Sequence, residues 1–294
     1  MNERMKEHRG GRIRERVMQV VFLIAACISI LAVALICIYL FANGLPAIGK
    51  IGPLEFLLGT DWRPSADQYG IFPMILGSIY VTAGAIIVGV PLGLLAAIFM
   101  AKFCPAPLYK LLKPAVDLLA GIPSIVYGFF GLMVIVPLMQ DLFPNTSGKS
   151  ILTASVLLGI MILPTIIGVS ESAIRAVPDS YYEGALALGA SHERSVFFVT
   201  VPAAKSGIMA GIILGVGRAI GETMAVIMIA GNQPRIPGSI LEGVRTLTGN
   251  IVMEMGYATG LHREALIATG VVLFVFILII NLLFSILKRK ESKA

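Results

Sequence analysis

Two charged residues stand where an apolar run should have none. Between Gly207 and Gly231 the chain is long and apolar enough to cross a bilayer, yet it holds Arg218 and Glu222, flanked by Gly217, Gly221 and Thr223. Counted from Gly207 at 1.5 Å per residue, Arg218 lies roughly 16 Å deep and Glu222 roughly 22 Å deep, both near the bilayer middle. An ionised side chain there costs at least about 3 kcal/mol. A spacing of four puts the two on one helical face, so the sequence predicts that they pair. A buried ion pair adds little net stability, so stability is a weak reason for its presence. Arginine presents a planar fork of donors that matches the oxygens of a tetrahedral oxyanion, and it keeps its charge at any cellular pH. The expected chemistry is passage of an anion, with a purely structural pair as the other reading. Which of the two residues meets the cargo stays open.

Other residues near predicted span limits are candidates for a gate. Gly121-Ile122-Pro123-Ser124 interrupts the third apolar run, Gly89-Val90-Pro91-Leu92-Gly93 the second, and Pro164 the fourth. Each is either a structural kink or a helix broken beside a water-filled path. Asp117 and Glu171 fall near predicted cytoplasmic ends, which makes a solvated interfacial role the default; closing an inner gate with Arg175 or a partner subunit is the alternative. On the other side, Arg235, Arg245 and Arg263 read as scattered solvated charges, with attraction of an anion or an acidic partner as the second reading. Cys27, Cys37 and Cys104 lack metal-ligand spacing and read as packing residues. Gly148-Lys149-Ser150 resembles the end of a phosphate-binding loop, but Phe143 stands where that motif needs glycine, and no strand precedes it. No metal, cofactor or nucleotide site is expected in this chain.

The elements that must carry these residues follow from composition. Of 294 residues, 57% are hydrophobic and 14% charged, whereas a soluble protein needs roughly a quarter charged to cover its surface. A hydrocarbon core about 30 Å thick takes about 20 helical residues. Six stretches qualify: 17–42, 73–101, 114–140, 151–172, 207–231 and 265–287. Continuous apolar runs without period-2 alternation exclude an outer-membrane barrel and predict an all-α polytopic membrane protein. The first run follows a basic start, is about twice as long as a signal peptide's 7–15 residues, and ends without an A-x-A site, so a retained anchor is expected. Segments 1–16, 102–113, 173–206 and 288–294 together carry sixteen Lys and Arg, against six in 43–72, 141–150 and 232–264. That bias predicts both termini in the cytoplasm, with basic tails at 1–16 and 288–294 and an outer loop at 43–72. It also accounts for the net charge of +6 without nucleic acid as a partner.

The longest predicted inner loop, 173–206, is patterned. Ser180-Tyr181-Tyr182-Glu183 reads as a capping box opening a short helix that stops at Gly189, in a left-handed cap. Ser191 caps a second helix running toward Thr200, with Pro202 ending it. The run Glu183-Gly184-Ala185, three residues, Gly189, nine residues, Val199-Thr200-Val201-Pro202 resembles the E-A-A-x3-G-x9-I-x-L-P loop of binding-protein-dependent ABC importers. Gly184 replaces the second-position Ala, and Val199 and Val201 are apolar changes. The resemblance implies that this loop docks into a cytoplasmic ATPase subunit.

A second resemblance covers about Glu55 to the last helix. Gly217-Arg218-Ala219-Ile220-Gly221-Glu222-Thr223-Met224-Ala225-Val226, with Gly231-Asn232 after it, is similar to the PstC-type permeases of phosphate-specific ABC importers. So are Phe56 to Trp62-Arg63-Pro64, Tyr69-Gly70-Ile71, Gly121-Ile122-Pro123-Ser124-Ile125-Val126-Tyr127-Gly128 and Ser206-Gly207-Ile208. PstA-type permeases tend to continue Gly-Glu-Thr with Ala-Pro, and sulfate and molybdate permeases tend to read Gly-Glu-Phe-Gly. The family implies the MetI-like permease fold over 73–287, six spans with both termini inside, and a multi-pass place in the bacterial or archaeal cytoplasmic membrane. It implies a non-catalytic subunit partnered by a homologous PstA-type permease, two ATPase subunits that use the ATP, and an extracytoplasmic phosphate-binding protein. Under that reading Glu222 could accept a hydrogen bond from a protonated phosphate oxygen and repel sulfate. A permease for another oxyanion and a proton-coupled anion carrier remain as alternatives.

Overall fold

Long apolar runs become helices in lipid because only a helix satisfies its own backbone polar groups there. The computed structural model describes residues 2–291, with side chains from Glu15 to Leu283 and at Ile286; the basic tails at 1–16 and 288–294 fall largely outside the described side chains. Helix α1, Asn2–Ile51, extends beyond the expected 17–42 and runs through Pro46. None of its most apolar stretch is buried by the rest of the chain, and Cys27 on it is exposed rather than packed. It joins the bundle near its end, where Phe41 meets Phe274 edge to face at 5.8 Å and Ala47 is buried.

A short helix α2, Pro53–Leu58, leads into a hairpin in which β1, Trp62–Arg63, pairs antiparallel with β2, Gln68–Tyr69. The crossing helix α3, Phe72–Phe103, packs along α6, Ile151–Arg175, which is the centre of the bundle: 67% of its apolar window is buried. Glycines let these two backbones meet. A Cβ on Gly84 would stand 2.2 Å from Ser155 Oγ, and one on Gly89 would stand 2.8 Å from the Gly159 carbonyl. Pro91 and Pro164 lie inside α3 and α6 without ending either helix. Close packing thus holds both through the missing hydrogen bond, and neither is an interruption.

The third expected span is divided. Helix α4, Ala106–Gly121, stops at Ile122, which is extended because the following Pro123 disfavours helical backbone before it. The crossing part is α5, Ser124–Leu142. At the predicted cytoplasmic end come α7, Asp179–Ala187, and α8, His192–Ala203. The expected capping box does not form: the helix begins at Asp179, so Ser180 already lies in its first turn, and no side-chain cap bond is made. Gly189 does take the left-handed cap, at φ 85°, and Ser191 Oγ accepts the Arg194 N–H at 3.3 Å. Helix α8 runs past Thr200 and past Pro202. The chain turns by 70° at the junction with α9, Lys205–Gly221.

The fifth crossing is also broken, at Glu222 and Thr223, before α10, Met224–Ile229. With roughly 25 Å in α9 and 9 Å in α10, the two together match a bilayer core. Helix α11, Leu247–Glu254, sits in the predicted outer segment, and α12, Gly260–Glu291, is the last crossing. Among the described residues five helices are therefore long and apolar enough to cross a membrane alone, and α9 with α10 supplies the length for a sixth crossing.

Candidate functional site

Arg218 lies in the last turn of α9, and its Nη1 donates to Thr165 Oγ1 on α6 at 3.3 Å. Among the described residues this is its one hydrogen bond, and it forms no ion pair. The expected pair with Glu222 is absent because the helix ends between them: Glu222 is extended, at φ −70° and ψ 128°, which takes it out of the i,i+4 register. Its Oε1 accepts the Ala225 N–H at 3.1 Å, and its carbonyl accepts from Thr248 Oγ1 at 3.2 Å. Thr223 Oγ1 donates to the Gly221 carbonyl at 3.2 Å. Side-chain groups so replace helix hydrogen bonds that the break gives up, which is what makes irregular backbone tolerable at membrane depth. A Cβ on Gly217 or Gly221 would meet nothing within 4 Å. The chain leaves that side of the broken helix open.

Toward the predicted cytoplasmic end, Glu171 is not solvated. Its side chain is 2% exposed, and it accepts from Tyr109 Oη at 2.8 Å, from Lys113 Nζ at 3.3 Å and from Arg175 Nε. Arg175 also donates to the Met100 carbonyl at 2.7 Å and lies over the Tyr109 ring at 4.3 Å. One carboxylate therefore ties together α3, α4 and α6. The default expected for Glu171 fails because α4, unforeseen as a separate helix, covers it. Burial by itself lowers the Lys113 ammonium, but Glu171 and Asp117 outweigh it and hold the group above its ordinary value. Asp117 is exposed and pairs with Lys113 at 3.5 Å. Gly121, Pro123 and Ser124 form the elbow between α4 and α5, and Tyr127 Oη pins it by donating across the break to the Leu119 carbonyl at 2.8 Å.

On the opposite face, Arg245 is a correction to the reading of scattered charges. It donates to Glu254 Oε1 at 2.5 Å, Asn250 Oδ1 at 3.0 Å and the Asn232 carbonyl at 3.1 Å. Glu254 also accepts from Trp62 Nε1 at 2.8 Å and is bonded to His262 Nε2 at 2.8 Å. Burial pushes the Glu254 carboxyl up, but these hydrogen bonds and the Arg245 charge prevail and hold it below its ordinary value. Arg263 is exposed, and Arg235 is exposed opposite Glu242 at 3.8 Å. In the knob formed by α7 and α8, Glu183, Gly184 and Gly189 are exposed and Ala185 is half-buried, with Pro202 exposed near the end of α8. Lys102 to Asp179 at 3.6 Å, and Phe103 edge-on to His192 at 4.7 Å, fasten the knob to α3.

Sequence reasoning placed Arg218 through its anomaly in an apolar run, but missed Thr165, Thr248, Tyr109 and Tyr127. A lone hydroxyl in an apolar helix has no periodic signal. Lys113 and Asp117, spaced by four in a basic segment, did offer one for α4.

The molecule thus offers charge and hydrogen-bonding groups within a bundle of spans, an arrangement suited to a membrane permease. Residues 89–293 match the binding-protein-dependent transport system inner membrane components, and the chain belongs to that family, as a multi-pass protein of the inner membrane. It is 38% identical to the probable ABC transporter permease protein YqgH of Bacillus subtilis, covering 97% of this chain and 96% of that one. It is 35% identical to the phosphate transport system permease protein PstC of Mesorhizobium japonicum, over 87% and 84% of the two chains. In fold it resembles the inward-facing MetNI methionine ABC transporter, with a TM-score of 0.62 at 19% identity over 79% of this chain and 99% of that one. A bacterial alginate ABC transporter matches with a TM-score of 0.60 at 17% identity, over 90% and 94%. The MetI-like permease fold expected from the sequence is the one found.

Proposed function

We propose that the chain is one permease subunit of an ATP-driven importer of inorganic phosphate, forming half of the translocation path around Arg218. One observation carries the reading. Within an apolar span, the Arg218 guanidinium has among the described residues a single hydrogen bond, to a neutral hydroxyl, and open space beside Gly217 and Gly221. A cation without a counter-charge there costs at least about 3 kcal/mol, and an anion in transit removes that cost. The likeness to permeases named for phosphate transport supports phosphate as that anion.

The open side of α9 calls for a second wall, which a homologous PstA-type permease would supply. Leu188, 91% exposed, and Phe198, 75% exposed, stand on the knob outside the spans. Apolar side chains so placed favour a protein partner there, which fits one of two ATPase subunits gripping the segment from Glu183 to Pro202. An extracytoplasmic phosphate-binding protein would deliver cargo to the opposite face. The chain itself catalyses nothing in this reading; ATP is used by the partner. Arg218 attracts the anion, Glu222 and Thr223 shape the break beside it, and the elbow at Gly121, Pro123 and Ser124, with Asp117 and Glu171, forms the inner gate.

The test is reconstitution in vesicles with the partner permease, the ATPase and the binding protein, followed by uptake of phosphate, sulfate and molybdate. Expected is ATP-dependent uptake that prefers phosphate and falls about 100-fold in Arg218→Ala, the size of an unpaired anion at that depth. Preference for sulfate or molybdate would reassign the cargo. Uptake driven by a proton gradient without ATP would make the protein a carrier.

A further inference from the structure

Thr165 follows Pro164 in the middle of α6 and is only partly buried. Threonines in helices commonly return their hydroxyl hydrogen to the carbonyl four residues back. Thr165 does otherwise: its oxygen accepts from Arg218 Nη1, and among the described residues it donates to nothing. A hydroxyl has one donor and two acceptor positions, so Thr165 retains a hydrogen to give at the very place where Arg218 retains most of its own.

The two residues are held together by backbone packing, not by chance of rotamer. A Cβ on Gly215 of α9 would stand 2.8 Å from Ile166 Cγ1 of α6, and one on Gly211 would stand 3.0 Å from Ser170 Oγ. Helices in such contact cannot slide, and Arg218 follows Gly215 by three residues while Thr165 adjoins Ile166. The single hydrogen bond between them then fixes where the guanidinium fork points. Without it, a long flexible side chain would explore other directions, including the polar groups of Glu222 four residues on.

We infer that Thr165 is a positioning and cargo-contacting residue of the anion path: it aims Arg218 at the open side of α9 and donates its own hydroxyl hydrogen to an oxyanion oxygen in transit. A phosphate stripped of water needs a donor for each oxygen it brings into the membrane, and a neutral hydroxyl supplies one without adding charge that would trap the ion. The inference rests on the phosphate-path reading proposed above.

The experiment uses the assembled importer in vesicles and reads phosphate imported per ATP hydrolysed for wild type, Thr165→Val, Thr165→Ser and Arg218→Ala. A defect in assembly or folding lowers uptake and hydrolysis together and leaves their ratio alone. Loss of a cargo contact lets ATP be spent while the anion fails to pass, so the ratio falls. Expected is a drop of about tenfold in Thr165→Val, the size of one charge-assisted hydrogen bond, with Thr165→Ser returning close to wild type. A ratio in Thr165→Val equal to wild type overturns the inference, as does a Thr165→Ser variant no better than Thr165→Val; in both cases wild-type uptake and its loss in Arg218→Ala leave the broader reading standing. A wild-type importer that moves no phosphate defeats both at once.

Discussion

At the scale of single residues, the break at Glu222 decides what the two intramembrane charges can do. An unbroken helix would have let Glu222 neutralise Arg218 four residues away. The chain instead commits the carboxylate to the Ala225 N–H, 3.1 Å away, and leaves Arg218 without a counter-charge among the described residues. Among the described residues the second carboxylate oxygen of Glu222 has no partner, so under the proposed function it would accept from a proton on phosphate and repel an ion that has none. Glu222→Gln keeps an oxygen for the Ala225 amide and removes the charge. In uptake assays with mixed anions, that variant should lose about tenfold of its discrimination between phosphate and sulfate. Undiminished discrimination would reduce Glu222 to a cap for α10. Arg218 was legible in the sequence because a charge in an apolar run is conspicuous. Thr248, which holds the Glu222 carbonyl from the outer segment, was not: it lies 26 residues on, and long-range hydrogen bonds leave no local trace.

Among the elements, α4 is the one that ties the inner end of the bundle to α5 and α6. Tyr109 and Lys113 fasten it to Glu171 on α6, and Tyr127 fastens α5 to the α4 carbonyl at Leu119. Helix α5 in turn lies against α10: a Cβ on Gly128 would come within 2.9 Å of Ala225 Cα. A shift of α4 therefore moves α5, and α5 bears on the segment that follows the pore break. Reading 114–140 as one span concealed this, since apolar residues on both sides of Pro123 outweighed the stop signal that Ile122-Pro123 provides. Glu171→Gln removes the charge that Lys113 and Arg175 share while keeping the size of the side chain. If the network holds the inner gate shut, a cysteine at Ser124, in a chain with Cys27, Cys37 and Cys104 replaced, should react about tenfold faster with a water-soluble thiol reagent in that background. Equal rates would make the network a structural tie with no part in gating.

Across the whole molecule, the outer segments form one cap on the bundle, and its stability has a defined dependence on pH. The hairpin after α1 and the stretch between α10 and α12 meet at Glu254, where Trp62, Arg245 and His262 converge on one carboxylate 9% exposed. Tyr69 and Tyr257 flank the imidazole with ring centroids 6.4 and 6.0 Å away, and Asp67 is bonded to Tyr69. The loop reading of 43–72 missed this cap because Trp62 and Glu254 lie 192 residues apart, and nothing near either announces the other. Glu254 is held below its ordinary value in the folded chain, so its ionisation stabilises the cap at every pH above the unfolded carboxylate range. That contribution is lost as pH falls through the lowered folded value. The chain has a single tryptophan, and it is the one bonded to Glu254, so its fluorescence reports on this cap. In the detergent-solubilised chain the emission should hold constant from neutral pH down to the carboxylate range and then shift to the red in stronger acid. Glu254→Gln should abolish the transition, and Arg245→Met should move it to higher pH, because the cation that favours the ionised carboxylate is gone. A red shift that begins near neutrality in wild type would mean that ionisation of Glu254 does not set the limit on the cap.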